Sequence, residues 1–351
     1  MHGGVAGRSV LLTGAGGSLG SALAKAIIQL EPRQLILLDH SERNLHEIDS
    51  ELTGVLSSIP FTSVLGDICD AGLLSEIFDR YRPEIVYHAA AFKHVPLMES
   101  NPLAAVRNNA LGTNTLAKIS RIAGVRTFVM ASTDKAVNPI SVMGASKRVA
   151  ELALLRWGGS TNRMRALRLG NILASVGSVV PTFLRQISRG GPVTVTHPEV
   201  CRYFHTMSEA VELALLTSRI EIGGGIFIPR LGAPVRILDM ARQLVSDSQS
   251  QSKSGNEISV TFTGLRPGDK MSEEFLFANE SVEPTPNRTL LRVSTAEVPS
   301  EKFDAHIESL SRSVEQRDLP LMLELLCQML PDYRPTEALD RSRQGSSVLL
   351  K

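Results

Sequence analysis

Two clusters of residues in this chain could do chemistry. The first is Ser132-Thr133-Asp134-Lys135, followed at short range by Met143-Gly144-Ala145-Ser146-Lys147. A hydroxyl, a carboxyl and an amine in consecutive positions can pass protons to and from a substrate. Met143 and Lys147 are i and i+4, so a helix would place them on one face. The second cluster is Thr13-Gly14-Ala15-Gly16-Gly17-Ser18-Leu19-Gly20. Glycines at Gly14, Gly17 and Gly20 let the backbone turn tightly, bring amide hydrogens against a pyrophosphate and keep the next helix close to the strand. Any tight loop can be glycine-rich, but this one lies between the first strand and the first helix, with Asp39 closing the second strand. That context points to a dinucleotide. Asp39 would accept hydrogen bonds from ribose hydroxyls and repel a 2′-phosphate, which favours NAD, while Ser41 and Arg43 leave NADP open. Asp67 and Ile68 stand where an adenine would lie.

These residues need strands and helices to hold them. Ser9–Thr13, Gln34–Asp39, Thr62–Leu65, Ile85–His88, Thr127–Ala131 and Arg165–Gly170 read as six strands, with a first helix over Ser21–Leu30. Strands this apolar on both faces, alternating with helical stretches, predict an α/β fold built on a Rossmann-type, doubly wound parallel sheet. Ser141 can cap a helix whose apolar residues Val142, Ala145, Val149 and Leu152 repeat at helical spacing. Both clusters then fall at the carboxyl ends of strands, where open sheets bind ligands. The expected division is a dinucleotide-binding domain over 1–175 and a smaller substrate-binding lobe over 176–335, with segments that return to the first domain. A flexible tail over 336–351 completes it. Gln249–Asn256 reads as a polar loop. The apolar stripe at 319–330, with Leu321, Leu323, Leu325 and Leu326, is expected to pack on the small lobe or on a sister subunit.

The pairing of an upstream hydroxyl with Met143 and Lys147 resembles the short-chain dehydrogenase/reductase superfamily, whose pattern is Tyr-x-x-x-Lys after a Ser or Thr; here Met143 stands at the tyrosine position. Further strings narrow the resemblance: HAAAFKHVPLMESNP (88–102), STDKAVNP (132–139), RLGNILASVGSVVP (168–181), CRYFHTMSEA (201–210) and TGLRPGDK (263–270). Together they are similar to the nucleotide-sugar 4,6-dehydratases acting on UDP-N-acetylglucosamine, the polysaccharide-biosynthesis group. Met143 is similar to the larger, membrane-anchored members, whereas this chain shows only their catalytic half.

The resemblance implies Asp134 as acid and Lys135 as base at carbon 5 of the sugar, beside Thr133. It also implies that Lys147 bridges the nicotinamide ribose. A lysine base must be neutral, and burial with Lys147 nearby would lower the Lys135 pKa. Met143 cannot move a proton, so Asp134, Lys135 or a water on Thr133 must serve the first oxidation, or the site is inactive. The cofactor side would include Gly14, Gly17, Ser18, Leu19 and Gly20, the Ala89-Ala90-Ala91 turn, Asn108, Asn109 and Ile172. The substrate side would include Lys93, Asn171, the helix start Ser178-Val179-Val180, the planar forks of Arg202 and Arg266, and Asp269 toward the uridine ribose. His94 reads as structural. A homodimer paired through helices of the larger domain is a further implication.

Composition narrows the classes. Lys and Arg number 37 against 36 Asp and Glu, a formal charge of +1. That balance offers no basic footprint for nucleic acid and no polybasic membrane patch. Cys69, Cys201 and Cys327 have neither zinc spacing nor the pattern of a disulfide framework. No apolar run reaches the ~18 residues of a membrane helix, and the start does not read as a signal peptide, so a cytoplasmic location is expected. The leading expectation is a UDP-N-acetylglucosamine 4,6-dehydratase. The rivals are a UDP-hexose 4-epimerase and a non-catalytic NAD-binding regulatory or scaffold protein.

Overall fold

Runs of β-branched and aliphatic residues too short for helices form the centre of the molecule. The computed structural model describes residues 4–54, 59–158, 163–251, 258–294 and 300–343. Its main sheet starts with β1 (Ser9–Thr13), β2 (Gln34–Asp39), β3 (Phe61–Leu65), β4 (Ile85–His88), β5 (Thr127–Thr133) and β6 (Arg163–Leu169). Strands Gly225–Pro229, Leu290–Ser294 and Ser281–Pro284 extend it beyond β6. From one edge the order is β3-β2-β1-β4-β5-β6, then those three strands. All pairs through Gly225–Pro229 are parallel, and the last two strands are antiparallel. The chain reverses winding direction between β1 and β4, so a crevice opens at their carboxyl ends, the place where such sheets take ligands. The α/β, doubly wound expectation therefore stands.

Both sheet faces are covered. One cluster joins Val10, Leu12, Leu35 and Leu37 to Leu23 and Ile27 of the helix α1 (Ser18–Ile28) and to Leu213. The other joins Leu11, Ile36, Val86 and Phe128 to Ile77, Phe78 and Leu116. Burying each such side chain contributes ~1.5–3 kcal/mol, so the sheet is the main store of stability.

A third cluster fixes the helix that carries Met143 and Lys147, here Val142–Gly158. Ser141 caps it, its hydroxyl accepting from the Gly144 amide at 3.1 Å. A carboxylate from elsewhere in the chain also caps it: Glu99 accepts from the Val142 amide at 2.7 Å. Val142, Val149 and Ala153 pack with Phe303, Ile307, Leu310, Leu323, Leu325 and Leu326. The stripe at 319–330 thus covers this helix, not the small lobe, because its buried face meets the cluster around the dinucleotide-binding half. The small lobe has its own core of Phe183, Ile187, Val193, Val195, Ile237 and Val245. The expected tail also differs, since Glu337–Arg343 is helical and Leu339 is buried. Residues 344–351 lie outside the described residues, as does 252–256 of the expected polar loop, whose first part ends the helix Ile237–Gln251.

Candidate active site

The glycine turn joins β1 to α1. Gly14 has φ +69°, and a Cβ there would stand 2.5 Å from the Ala90 nitrogen. At Gly20 a Cβ would stand 1.9 Å from the Gly14 carbonyl oxygen. A side chain at Gly14 would push into the Ala89–Ala90 turn and one at Gly20 would push the helix off the glycine turn, so both keep the turn as tight as amides presented to a pyrophosphate require. Asp39 is buried and shapes this turn, accepting from the Gly16 amide at 2.9 Å and from the Ser41 amide at 2.9 Å. Gly14, Asp39, His40, Asp67, Ile68, Ala90 and Asn108 line one hollow beside it, of the right make-up for an adenosine. These residues fit a dinucleotide. Ser18 turns the other way, its hydroxyl accepting from the Val176 amide at 3.1 Å, so it ties the turn to the substrate-side loop. Ser41 caps the next helix through Asn44, and Arg43 pairs outward with Glu47 at 3.0 Å. Asn109 is fully buried and clamps the backbone of Phe92 with both ends of its amide. It shapes the Ala89–Ala91 turn and does not face the hollow.

The residues expected to handle protons meet at the end of β5. Thr133 donates to Asp134 Oδ1 at 2.9 Å, and Lys135 Nζ donates to the same oxygen at 2.9 Å. Lys135 Nζ also donates to Asn171 Oδ1 at 3.2 Å, which brings the end of the β6 segment into the group. Asp134 is fully buried, and its Oδ2 has no hydrogen-bond partner. Gly144 explains how the helix reaches this turn: a Cβ there would stand 2.2 Å from the Lys135 carbonyl oxygen. Lys147 is buried on the same helix and donates to the Ala131 carbonyl at 2.9 Å. Burial pulls its pKa down to about 8, with Glu151 opposing.

Three expectations change here. Burial does oppose the charge on Lys135, but the Asp134 and Glu273 carboxylates outweigh it and hold the amine above the ordinary lysine range. Arg202 does not offer a free fork; it is buried, and its guanidinium donates to the carbonyls of Cys201, Met271 and Lys270. Asp269 is engaged by Arg266 at 2.8 Å, so each occupies the other. Met143 is buried in the apolar cluster of Val95, Met98 and Val106, where it has no polar contact to offer. Ser178 starts the helix Val179–Ser188, with the Val179 and Val180 amides in its first turn. Lys93 is exposed, and Ile172 pairs with His205 in a short ladder. The His94 ring lies where a Cβ on Gly177 would be, 2.5 Å from that position, and so supports this loop.

The model of a family described as polysaccharide biosynthesis protein matches residues 10–295, most of the chain. The chain belongs to this polysaccharide biosynthesis family. The probable polysaccharide biosynthesis protein EpsC of Bacillus subtilis is 45% identical over 278 residues, which is 79% of this chain and 46% of that protein. The chain thus spans less than half the length of that relative. A UDP-N-acetylglucosamine 4,6-dehydratase (inverting) of Campylobacter jejuni is 28% identical over 281 residues, covering 78% of this chain and 79% of the enzyme. A UDP-glucose 4-epimerase of Rickettsia massiliae is 28% identical over 296 residues, 82% of each chain. Among solved structures, Pen from Bacillus thuringiensis superposes with a TM-score of 0.74 at 25% identity, over 86% of this chain and 98% of that one. No helix among the described residues is long and apolar enough to cross a membrane.

Five residues that organise the site carry no role that the sequence alone assigns. His88 is buried at the end of β4, its ring bonded to the hydroxyls of Thr13 at 2.7 Å and Thr113 at 2.8 Å. Glu151 accepts from Ser132 at 2.7 Å and lies against the Arg168 guanidinium, which also reaches Glu280 at 2.7 Å. That network ties the strand end, the helix Val142–Gly158 and the 273–280 segment together. Glu273 reaches Lys135 across the site. Only contacts between distant parts of the chain give these residues their roles; His88 and Arg168 open two of the quoted strings, but nothing local shows what they bind.

Proposed function

We propose that this chain is an NAD-dependent UDP-N-acetylglucosamine 4,6-dehydratase. Its product would be a UDP-4-keto-6-deoxy-N-acetylhexosamine for a surface polysaccharide or glycan. The observation that carries this reading is the meeting of Thr133, Asp134, Lys135 and Asn171 at a strand end beside a turn that fits a dinucleotide. When bound, NAD supplies a reversible two-electron oxidation. The protein moves the protons. Asp134, through its unpartnered Oδ2, takes the proton of the 4-hydroxyl as the ketone forms. The ketone acidifies carbon 5, and Lys135 in its neutral form removes that hydrogen as a proton. Protonated Asp134 then gives its proton to the departing 6-hydroxyl, water leaves, and Lys135 returns a proton to carbon 5. Both side chains end the cycle as they began it. Lys147 would hold the nicotinamide ribose, and the first-turn amides of Val179 and Val180 would take the diphosphate.

The C. jejuni dehydratase supports the substrate and reaction. The likeness to UDP-glucose 4-epimerases favours a second reading, in which carbon 4 is oxidised and reduced and nothing is lost. That reading gives Asp134 and Lys135 no work at carbons 5 and 6. Product mass separates the two: incubation with UDP-N-acetylglucosamine and trace NAD should give a sugar lighter by one water, without net NADH. An unchanged mass with an altered sugar would favour the epimerase. Bound NAD with no product would favour a non-catalytic role.

A further inference from the structure

Glu273 belongs to none of the strings that pointed to the site, yet it faces the amine on which the chemistry turns. Its side chain is 2% exposed. One oxygen, Oε1, lies 3.5 Å from Lys135 Nζ and 3.7 Å from Arg202 Nε. The other, Oε2, is buried without a hydrogen-bond partner. Asp134 approaches Lys135 from the same turn at 2.9 Å, and Asn171 completes the cradle at 3.2 Å. We propose that Glu273 is a positioning residue for Lys135, holding the amine between Asp134 and Asn171 and governing when it can act as a base.

A carboxylate at this distance in a water-poor site favours the charged amine, so Lys135 rests as an ammonium. Burial opposes that state, and Asp134 and Glu273 together overcome it. The other charged groups around the amine are few. Arg202, on the strand Cys201–Arg202, disfavours the ammonium and also draws on Glu273 Oε1. Lys270 lies near enough for its charge and that of Lys135 to oppose each other, and His205 feels the charge of Asp134. Glu273 is therefore the one carboxylate from another element that stabilises the charge on Lys135, among the described residues, beside the neutral acceptor Asn171. Its hold must be overcome before carbon 5 can be deprotonated, and this sets a threshold pH for that step.

The proposal rests on the dehydratase reading for the identity of the proton but not for the pairing itself. The test is a pH titration of the Lys135 amine in the full chain, by NMR of 13Cε-labelled lysine assigned with a Lys135→Arg variant. Solvent-deuterium exchange at carbon 5 of UDP-N-acetylglucosamine is measured over the same range. Glu273→Gln should lower the Lys135 midpoint by about one pH unit or more. The onset of carbon 5 exchange should move to lower pH with it. Glu273→Asp keeps the charge and withdraws it by one methylene, so its midpoint should lie between the two. Either variant that folds is enough to decide. A Lys135 midpoint unchanged from wild type would overturn the proposal, as would a shifted midpoint with an exchange profile that stays in place. A wild-type enzyme that exchanges no carbon 5 proton at any pH would overturn the dehydratase reading instead, and the titration would still decide the Glu273 pairing.

Discussion

At the scale of single residues the account rests on Lys135 and on the absence of a phenol beside it. Met143 stands where the related pattern carries tyrosine, and its thioether is closed into an apolar cluster. On the proposed reading proton transfer falls to Asp134 and Lys135, whose side chains touch at 2.9 Å. Lys135→Ala should lower turnover of UDP-N-acetylglucosamine by ~10²–10⁴-fold. NAD affinity should hold, since the amine faces Asp134, Asn171 and Glu273 and not the glycine turn. Steady-state rates and an NAD titration check both halves. A loss below about tenfold would remove Lys135 from the proton path. Sequence made this triplet visible because its members are neighbours in the chain. It could not show which way the Lys135 pKa moves, because Glu273 joins from more than a hundred residues away.

At the scale of elements, function depends on how closely the helix Val142–Gly158 meets the end of β5. Gly144 is the point of approach, 2.2 Å from the Lys135 carbonyl oxygen to any Cβ placed there. Gly144→Ala must push the helix or the Thr133–Lys135 turn away, at ~1–3 kcal/mol of stability, the cost of forcing extra volume into a packed site. Turnover should fall together with stability. Urea unfolding and a kinetic assay on the same variant test this, and an unchanged unfolding midpoint would contradict it. The elements are also joined by buried groups that titrate. Burial, with the charge of Lys147, pushes the His88 pKa down from 6.5 to about 3. Glu151 is raised by burial, but Arg168 and Arg148 outweigh this and bring it from 4.5 to about 2. In both windows the unfolded chain binds more protons than the native one, so stability rises with pH there. Acidification should therefore cost stability from about pH 6.5 downward through His88, and from about 4.5 to 2 through Glu151. Urea midpoints across pH 7 to 4 check the sign, and a flat profile between about pH 6.5 and 4.5 would contradict the His88 assignment. Neither group was legible in the sequence. A histidine ending a strand gains its partners Thr13 and Thr113 only when β1, β4 and the helix Thr113–Ile122 come together.

At the scale of the molecule, a sheet ordered β3-β2-β1-β4-β5-β6 puts the glycine turn and the proton-handling triplet along one edge. That arrangement was legible, because apolar strands separated by helices leave few parallel topologies and the strand ends follow from them. The second half was less so. Its short, glycine-broken pieces carry little periodicity, and Arg202 and Asp269 took partners within the protein that no local pattern names. The C-terminal helices proved to brace the helix Val142–Gly158, since an apolar stripe shows that it is buried but not against what. The proposed function makes the whole assembly a device for removing water from a nucleotide sugar. Its most direct test is one incubation of the full chain with UDP-N-acetylglucosamine and trace NAD in deuterium oxide, followed by mass spectrometry of the sugar nucleotide. The account predicts a product that has lost one water and gained one deuterium at carbon 5, with no net NADH. A sugar of unchanged mass and no deuterium at carbon 5, from protein shown to bind NAD, would contradict it.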